Sequence, residues 1–266
     1  MSVSEAEAGI PGILRRLVSA DGLEIGEREG ILFETYARLL RTWNERINLT
    51  AILGDRDIAV KHFQDSLAVL PRIRPYLTAG CRSAMGEGKI RIQAADVGTG
   101  AGFPGIPLKI MSEDMDWVLI DSLEKRTVFL REVAKALGLE KEIQIMHMRA
   151  EEAGRDPRLR DRMDLVLARA VAPMPVLAEY CLPLVREGGL FVAMKGPDPE
   201  AETEEAKKAV HCLAGRIEGV ERYVIGGTAA REDTAYGRSL VMVRKTGPTP
   251  AGYPRRAGVP SGKPIR

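Results

Sequence analysis

Ala95-Asp96-Val97-Gly98-Thr99-Gly100-Ala101-Gly102-Phe103-Pro104-Gly105 sets four glycines in eight residues directly behind an apolar run. Glycine permits positive φ and lacks the Cβ that would hold a ligand away. The following Ile106 to Ile110 opens a helix whose N-terminus faces the turn. A dinucleotide site reads G-x-G-x-x-G, yet the sixth position from Gly98 is the bulky Phe103, and the glycines fall instead as G-x-G-x-G after an acid. That pattern favours S-adenosylmethionine over NAD. This ligand has no pyrophosphate, so the loop has only to accept its methionine end and ribose. Asp96 can answer its ammonium directly or through water. A glycine-rich turn without a ligand is the alternative.

Outward from this turn, strands and helices alternate. The pattern predicts strands at Ile90 to Val97, Trp117 to Asp121, Ile143 to Met148, Leu165 to Ala168, Leu190 to Met194, Val220 to Ile225 and Ser239 to Val243. Helices fall at 106 to 112, 123 to 137, 174 to 186 and 199 to 214. Strands joined through helices run parallel with right-handed crossovers, whereas the last two, joined by a polar loop, pair antiparallel. The fold class is therefore α/β, a doubly wound, mostly parallel sheet with an antiparallel C-terminal strand. Upstream, helical spacing over 10 to 20, 27 to 43 and Asp57 to Leu70 predicts an N-terminal helical cap ended by Pro71 and Pro75. The expected organisation is a cap over 1–79, a linker over 80–89, a ligand-binding domain over 90–246 and a basic Pro/Gly-rich tail over 247–266.

A chain of 266 residues, 45% hydrophobic, can bury one substantial core with a small appendage. Cys81, Cys181 and Cys212 form no C-x-x-C pair, which argues against a disulfide framework or a zinc ribbon. No signal-like apolar segment and no bilayer-length run is present, so a cytoplasmic protein is expected. Net charge is +2, but Arg244, Lys245, Arg255, Arg256, Lys263 and Arg266 carry six cations with no acid from 244 onward, leaving the body near −4. Such a tail reads as a phosphate-facing arm that orders on binding, or as a solvated end.

In such sheets the ligand sits beyond the carboxyl ends of the strands, where strand order reverses. Asp121 ends the second strand 23 residues after Gly98, placed to bind both ribose hydroxyls or to cap the next helix. Ala150 and Glu151 follow the third strand, where backbone and carboxylate could meet an adenine edge; a surface acid pair is the other reading. Arg169 and Lys195 each follow an apolar strand, two cations at the mouth of the site suited to RNA phosphates or a guanine edge. No Asn/Asp-Pro-Pro-aromatic motif follows the fourth strand, which weighs against amino-group methylation. Cys181 and Cys212 lie in helical patterns and offer no nucleophile, while His62, His147 and His211 are scattered and suggest no metal. What remains is transfer to an atom that already owns a lone pair, such as guanine N7, with catalysis reduced to alignment.

These residues resemble the bacterial 16S ribosomal RNA guanine-N7 methyltransferases, also called glucose-inhibited division protein B. The resemblance rests on Trp43-Asn44 with Asn48-Leu49-Thr50, on His62 with Asp65-Ser66-Leu67, and on the run from Asp96 to Pro107. It continues through Asp121-Ser122 with Lys125-Arg126, Phe129-Leu130, Arg169-Ala170, Met194-Lys195-Gly196 and Tyr253-Pro254-Arg255-Arg256, covering about residues 36 to 264. It implies a Rossmann-like class I methyltransferase fold and adenosylmethionine contacts at Gly98, Phe103, Ala150, Glu151 and Arg169, with Asp121 at the ribose; Asp96, Gly100 and Gly102 join these as cofactor-binding candidates from the loop itself. The implied substrate is a guanine in the decoding-region loop of small-subunit ribosomal RNA. Asn48, His62, Asp65 and Ser66 would face the donor from the cap, with Arg169 and Lys195 positioning RNA, in a monomer without metal or membrane contact. The segments 81–89 and 154–162, and Ala95 before Asp96, depart from the family pattern without removing a motif residue. The expectations left open beside this one are a small-molecule methyltransferase and a non-catalytic ribosome-assembly factor with the same fold.

Overall fold

The computed structural model of the protein describes residues 9–78, 91–227 and 235–266, so the expected 80–89 linker lies outside the described residues. Seven strands form one sheet: β1 (Ile92–Val97), β2 (Met115–Asp121), β3 (Ile143–His147), β4 (Met163–Arg169), β5 (Val185–Lys195), β6 (Gly215–Ile225) and β7 (Tyr236–Lys245). Their spatial order is β3-β2-β1-β4-β5-β7-β6. The first five strands are parallel, and β7 inserts antiparallel between β5 and β6. This is the doubly wound class I methyltransferase topology, with its reversal point between β1 and β4.

The central strands are apolar throughout because helices cover both faces. Successive β4 side chains show the division: Leu165 and Leu167 join one buried cluster, Val166 and Ala168 the other. On the first face lie the N-terminal helices α1 (Gly9–Val18) and α2 (Glu27–Ile47), with α6 (Gly105–Met111) and α7 (Glu124–Leu137). Of these, Phe33, Tyr36 and Leu40 of α2 bury fully in the same cluster as Trp117 of β2 and Phe129 of α7. On the second face lie α8 (Ala150–Ala153), α9 (Met174–Cys181) and α10 (Glu200–Cys212). Glu27 and Glu29 in the first turn of α2 and Arg46 in its last complement the helix dipole.

Two local differences from the sequence pattern bear on the site. The third cap helix is not one helix: α3 (Asp55–Asp57) runs into a π-helical segment, Ile58–Gln64, then α4 (Asp65–Leu67), and only after Ala68 does α5 (Val69–Thr78) begin. Pro71 and Pro75 do not end it. Pro71 falls in the first turn of α5, where an N–H has no intrahelical acceptor, and Pro75 sits inside the helix. The tail differs as well. Residues 247–266 are packed rather than loose, with Pro254 and Pro260 buried and a short helix α11 (Val259–Gly262). The charge count in the sequence hid this, because the acids that hold the tail come from distant segments: Arg255 pairs with Glu179 at 2.5 Å and Lys245 with Asp161 at 2.8 Å.

Candidate active site

The loop after β1 is built on left-handed backbone. Gly98, Gly100 and Gly102 have φ of 69°, 62° and 96°. A Cβ on Gly98 would stand 2.6 Å from Val171 Cγ2, so the turn after β4 requires glycine here. On Gly102 it would stand 2.5 Å from the Tyr36 hydroxyl, which donates to the Ala101 carbonyl. The second glycine requirement thus comes from the docking of the N-terminal helices. Asp96 is fully buried and its Oδ2 accepts from Thr99 Oγ1 (2.7 Å) and from the Gly105 N–H (2.9 Å), stitching the loop to the start of α6. Its Oδ1 is buried with no partner, and burial raises its pKa to about 6.

Asp121 closes the loop from β2. Its Oδ2 accepts from the Gly100 N–H at 2.9 Å and from Arg126 at 3.4 Å, while Oδ1 accepts from the Leu123 N–H at 2.9 Å. Gly98, Asp121, Ala150, Glu151, Val171 and Tyr180 line a cleft of about 120 Å³ at the carboxyl ends of β1 to β4, at the strand-order reversal. A second, wider cleft of about 440 Å³ lies on the other side of the β4 turn, lined by Lys61, His62, Asp65, Arg169, Lys195 and Arg238. The two clefts share the turn Arg169-Ala170-Val171, whose Ala170 holds a left-handed φ of 55°.

The wide cleft is organised around one buried carboxylate. Asp65 Oδ2 accepts from Arg169 at 2.9 Å and Oδ1 from Arg238 at 3.1 Å, tying the cap to β4 and β7. The Arg169 guanidinium also donates to the Lys61 carbonyl at 3.2 Å and lies 5.2 Å from the Phe103 ring centre. His62 stacks on the opposing partner set: its ring is 4.5 Å from Phe103 at 8° between planes, and Phe103 in turn is 5.3 Å from Tyr36. Burial, reinforced by the Arg169 charge, lowers the His62 pKa to about 3, so the imidazole is neutral at physiological pH. Its Nε2 meets Thr50 Oγ1 at 2.9 Å, while Nδ1 is buried without a partner. Lys195 donates to Glu202 at 2.7 Å and to the Ala172 carbonyl at 3.0 Å, so its charge is already compensated.

The residues singled out in the sequence therefore divide. Gly98, Asp121, Ala150 and Glu151 line the narrow cleft; His62, Asp65, Arg169 and Lys195 line the wide one. Asp96, Gly100, Gly102 and Phe103 line neither and shape the loop from behind. Asn48 is exposed and ends α2 in left-handed conformation, its N–H bonded to the Asn44 carbonyl. Ser66 is buried and donates to the His62 carbonyl at 2.6 Å, bracing its own helix. Lys61, Val171, Tyr180 and Arg238 were missed. Arg238 had a signal: a strand that runs antiparallel presents its first residues, not its last, at the edge where Arg169 and Lys195 stand. Tyr180 had none, being one apolar helix position among several.

Comparison with known sequences accords with this arrangement. The family described as GidB, rRNA small subunit methyltransferase G, matches residues 31–225. The protein named ribosomal RNA small subunit methyltransferase G of Acetivibrio thermocellus is 40% identical over 263 residues, 99% of this chain and 100% of its own. The chain belongs to this family. The protein of the same name from Pelotomaculum thermopropionicum is 45% identical, covering 92% of this chain and 94% of its own, and that of Desulfitobacterium hafniense is 43% identical over 88% of each. As a member of the rRNA small subunit methyltransferase G family the chain is a methyltransferase. Among the described residues no helix is long and apolar enough to cross a membrane, and no three His, Cys, Asp or Glu residues are grouped to hold a metal ion.

Proposed function

We propose that the protein transfers the methyl group of S-adenosylmethionine to N7 of a guanine in the 16S ribosomal RNA of the small ribosomal subunit, acting as a cytoplasmic monomer without a metal ion. The observation that carries this reading is the pairing of two clefts across one turn: carboxylates and glycine backbone on the Val171 side, paired and stacked cations on the Arg169 side. The residues present suit the donor. Gly98 brings backbone to the cleft without a Cβ, Asp121 keeps lone pairs for ribose hydroxyls beside its bond to Gly100, and the orphaned Asp96 Oδ1 is an unspent acceptor behind the loop.

When bound, adenosylmethionine supplies an electrophilic methyl group. Guanine N7 carries an in-plane lone pair and loses no proton on alkylation, so no general base is needed; the depressed pKa of His62 agrees with a packing role rather than proton transfer. The protein's task is alignment: Asp121 and Glu151 fix the donor, while Arg169, held by Asp65, and Lys61 orient an extruded purine across the Ala170 turn. The expected cap packs on the sheet domain through Phe33, Tyr36 and Leu40 of α2. Of the six tail cations, the exposed Arg256, Lys263 and Arg266 remain available to phosphates, whereas Arg244, Lys245 and Arg255 are spent on internal acids. Reverse-transcription mapping of methylated guanine in ribosomes from a deletion strain tests the reading. The methyl mark is expected to vanish and to return with the wild-type gene; an unchanged mark refutes it.

A further inference from the structure

The packed tail lies behind the narrow cleft, bonded to Glu151, which lines it, and to Glu179, the neighbour of the lining Tyr180. Three anchors fix it along the outside of α8 and α9. Arg160 donates to the carbonyls of Thr249 (2.9 Å) and Tyr253 (2.7 Å), and Arg155 to that of Pro254 (2.6 Å). Gly154 sits so close beneath that a Cβ would lie 2.9 Å from Pro254 Cγ. Arg255 then forms a two-pronged pair with the fully buried Glu179, Nε to Oε1 at 2.9 Å and Nη2 to Oε2 at 2.5 Å, and its N–H adds a third bond to Oε1 at 2.7 Å. Beyond these anchors the chain turns at Gly258, φ 82°, and the Gly258 N–H donates to Glu151 Oε1 at 2.9 Å. Within the same turn, Ser261 Oγ donates to the Gly258 carbonyl at 3.1 Å and braces it. Glu151 and Tyr180 both line the narrow cleft, and Tyr180 directly follows the anchoring Glu179.

We propose that residues 249–262 buttress the wall of the donor cleft that Glu151 and Tyr180 form, and that Arg255 is a positioning residue for methyl-donor binding, acting through Glu179, Gly258 and Glu151 rather than touching RNA phosphate. A carboxylate with one oxygen fixed by a backbone N–H keeps its second oxygen aimed, and its fixed rotamer needs no ordering when the ligand arrives. At about 120 Å³ the cleft is narrower than the few hundred Å³ usual for a cofactor site, so the placement of this wall sets how tightly the donor is held. The inference rests on the donor site proposed above.

The test is calorimetric titration of the full-length protein with S-adenosylhomocysteine, alongside binding to unmethylated small ribosomal subunits over a salt series. Arg255→Ala is expected to weaken adenosylhomocysteine binding tenfold or more, with subunit affinity and its salt slope unchanged, and Arg255→Lys to recover part of the loss. Ser261→Ala leaves the Arg255–Glu179 pair intact, keeps the melting temperature of the parent, and is expected to weaken the same ligand a few-fold. If the wild-type protein binds adenosylhomocysteine and both variants bind it equally well, or if Arg255→Ala flattens the salt slope instead, the wall assignment is overturned. If the wild-type protein binds none, the donor site itself falls, and the wall with it.

Discussion

The narrow and wide clefts sit back to back on one turn and are built by different means. The narrow cleft is gathered at successive strand ends behind a backbone loop: Gly98 in left-handed conformation, Asp121 bonded to the Gly100 amide, and Ala150, Glu151, Val171 and Tyr180 beyond them. The wide cleft is made of side chains from four separated segments, with Lys61 and Asp65 from the cap, Arg169 from β4, Lys195 from β5 and Arg238 from β7. On the proposed function, the donor would be met by strand ends and a fixed backbone loop, and the RNA base by charged side chains that only the fold brings together.

The sharpest way to break this division is Gly98→Val. A branched side chain at φ 69°, with its first carbon 2.6 Å from Val171, forces the β4 turn outward and fills the donor space. Binding of adenosylhomocysteine is expected to fall more than a hundredfold by calorimetry while affinity for unmethylated subunits holds; equal loss of both would mean that the clefts are one unit. Asp65→Asn attacks the other side. It leaves the Arg169 and Arg238 charges without their shared carboxylate, a loss of about 3 kcal/mol expected for a broken buried pair. Turnover on subunits should drop ten- to a hundredfold with donor affinity within twofold, measured by single-turnover methyl transfer beside the same titration.

These two outcomes bear on what could be read without a structure. The narrow cleft was legible because most of its determinants stand at fixed places in the strand–helix alternation: glycine spacing after the first strand, an acid before it, and an acid ending the next strand. The wide cleft was legible only where a cation closes an apolar strand, as Arg169 and Lys195 do. Arg238 opens its strand, and its relevance depends on β7 running against its neighbours. The family resemblance implies a ligand contact at Phe103; in the structure its ring joins the stack of Tyr36, Phe103 and His62 that binds cap to sheet, a contact between distant segments that spacing does not show. The tail looked free because its counter-charges, Glu179, Asp161 and Glu218, are remote in sequence and become neighbours only on folding.

The smallest effect sharpens the contact between the two regions. His62 is neutral in the fold, its pKa lowered from 6.5 to about 3, so the unfolded chain binds its proton first and the stability it contributes is lost as pH falls from about 6.5 toward 3. Asp96, raised to about 6 from 3.8, acts with the opposite sign: the stability of its protonated form is present below about pH 4 and is lost as pH rises through 6. In urea titrations from pH 7 down to pH 4, His62→Phe, which keeps an aromatic face on Phe103, is expected to lose less stability than the wild type over that range. Identical pH curves for the two proteins would remove the cap histidine from the acid response.

The π-helical segment Ile58–Gln64 has a consequence for how this cap can vary. A π turn spends one more residue per hydrogen-bonded ring than an α turn, so excising a single residue there would let the segment relax to ordinary winding. Seven residues in the wider winding turn through nearly the angle of six α-helical residues at about 100° each, so the flanking Asp55–Asp57 and Asp65 would keep their relation while the residues inside the segment, Lys61 and His62 among them, would be re-aimed. Length, more than composition, is what this stretch must preserve.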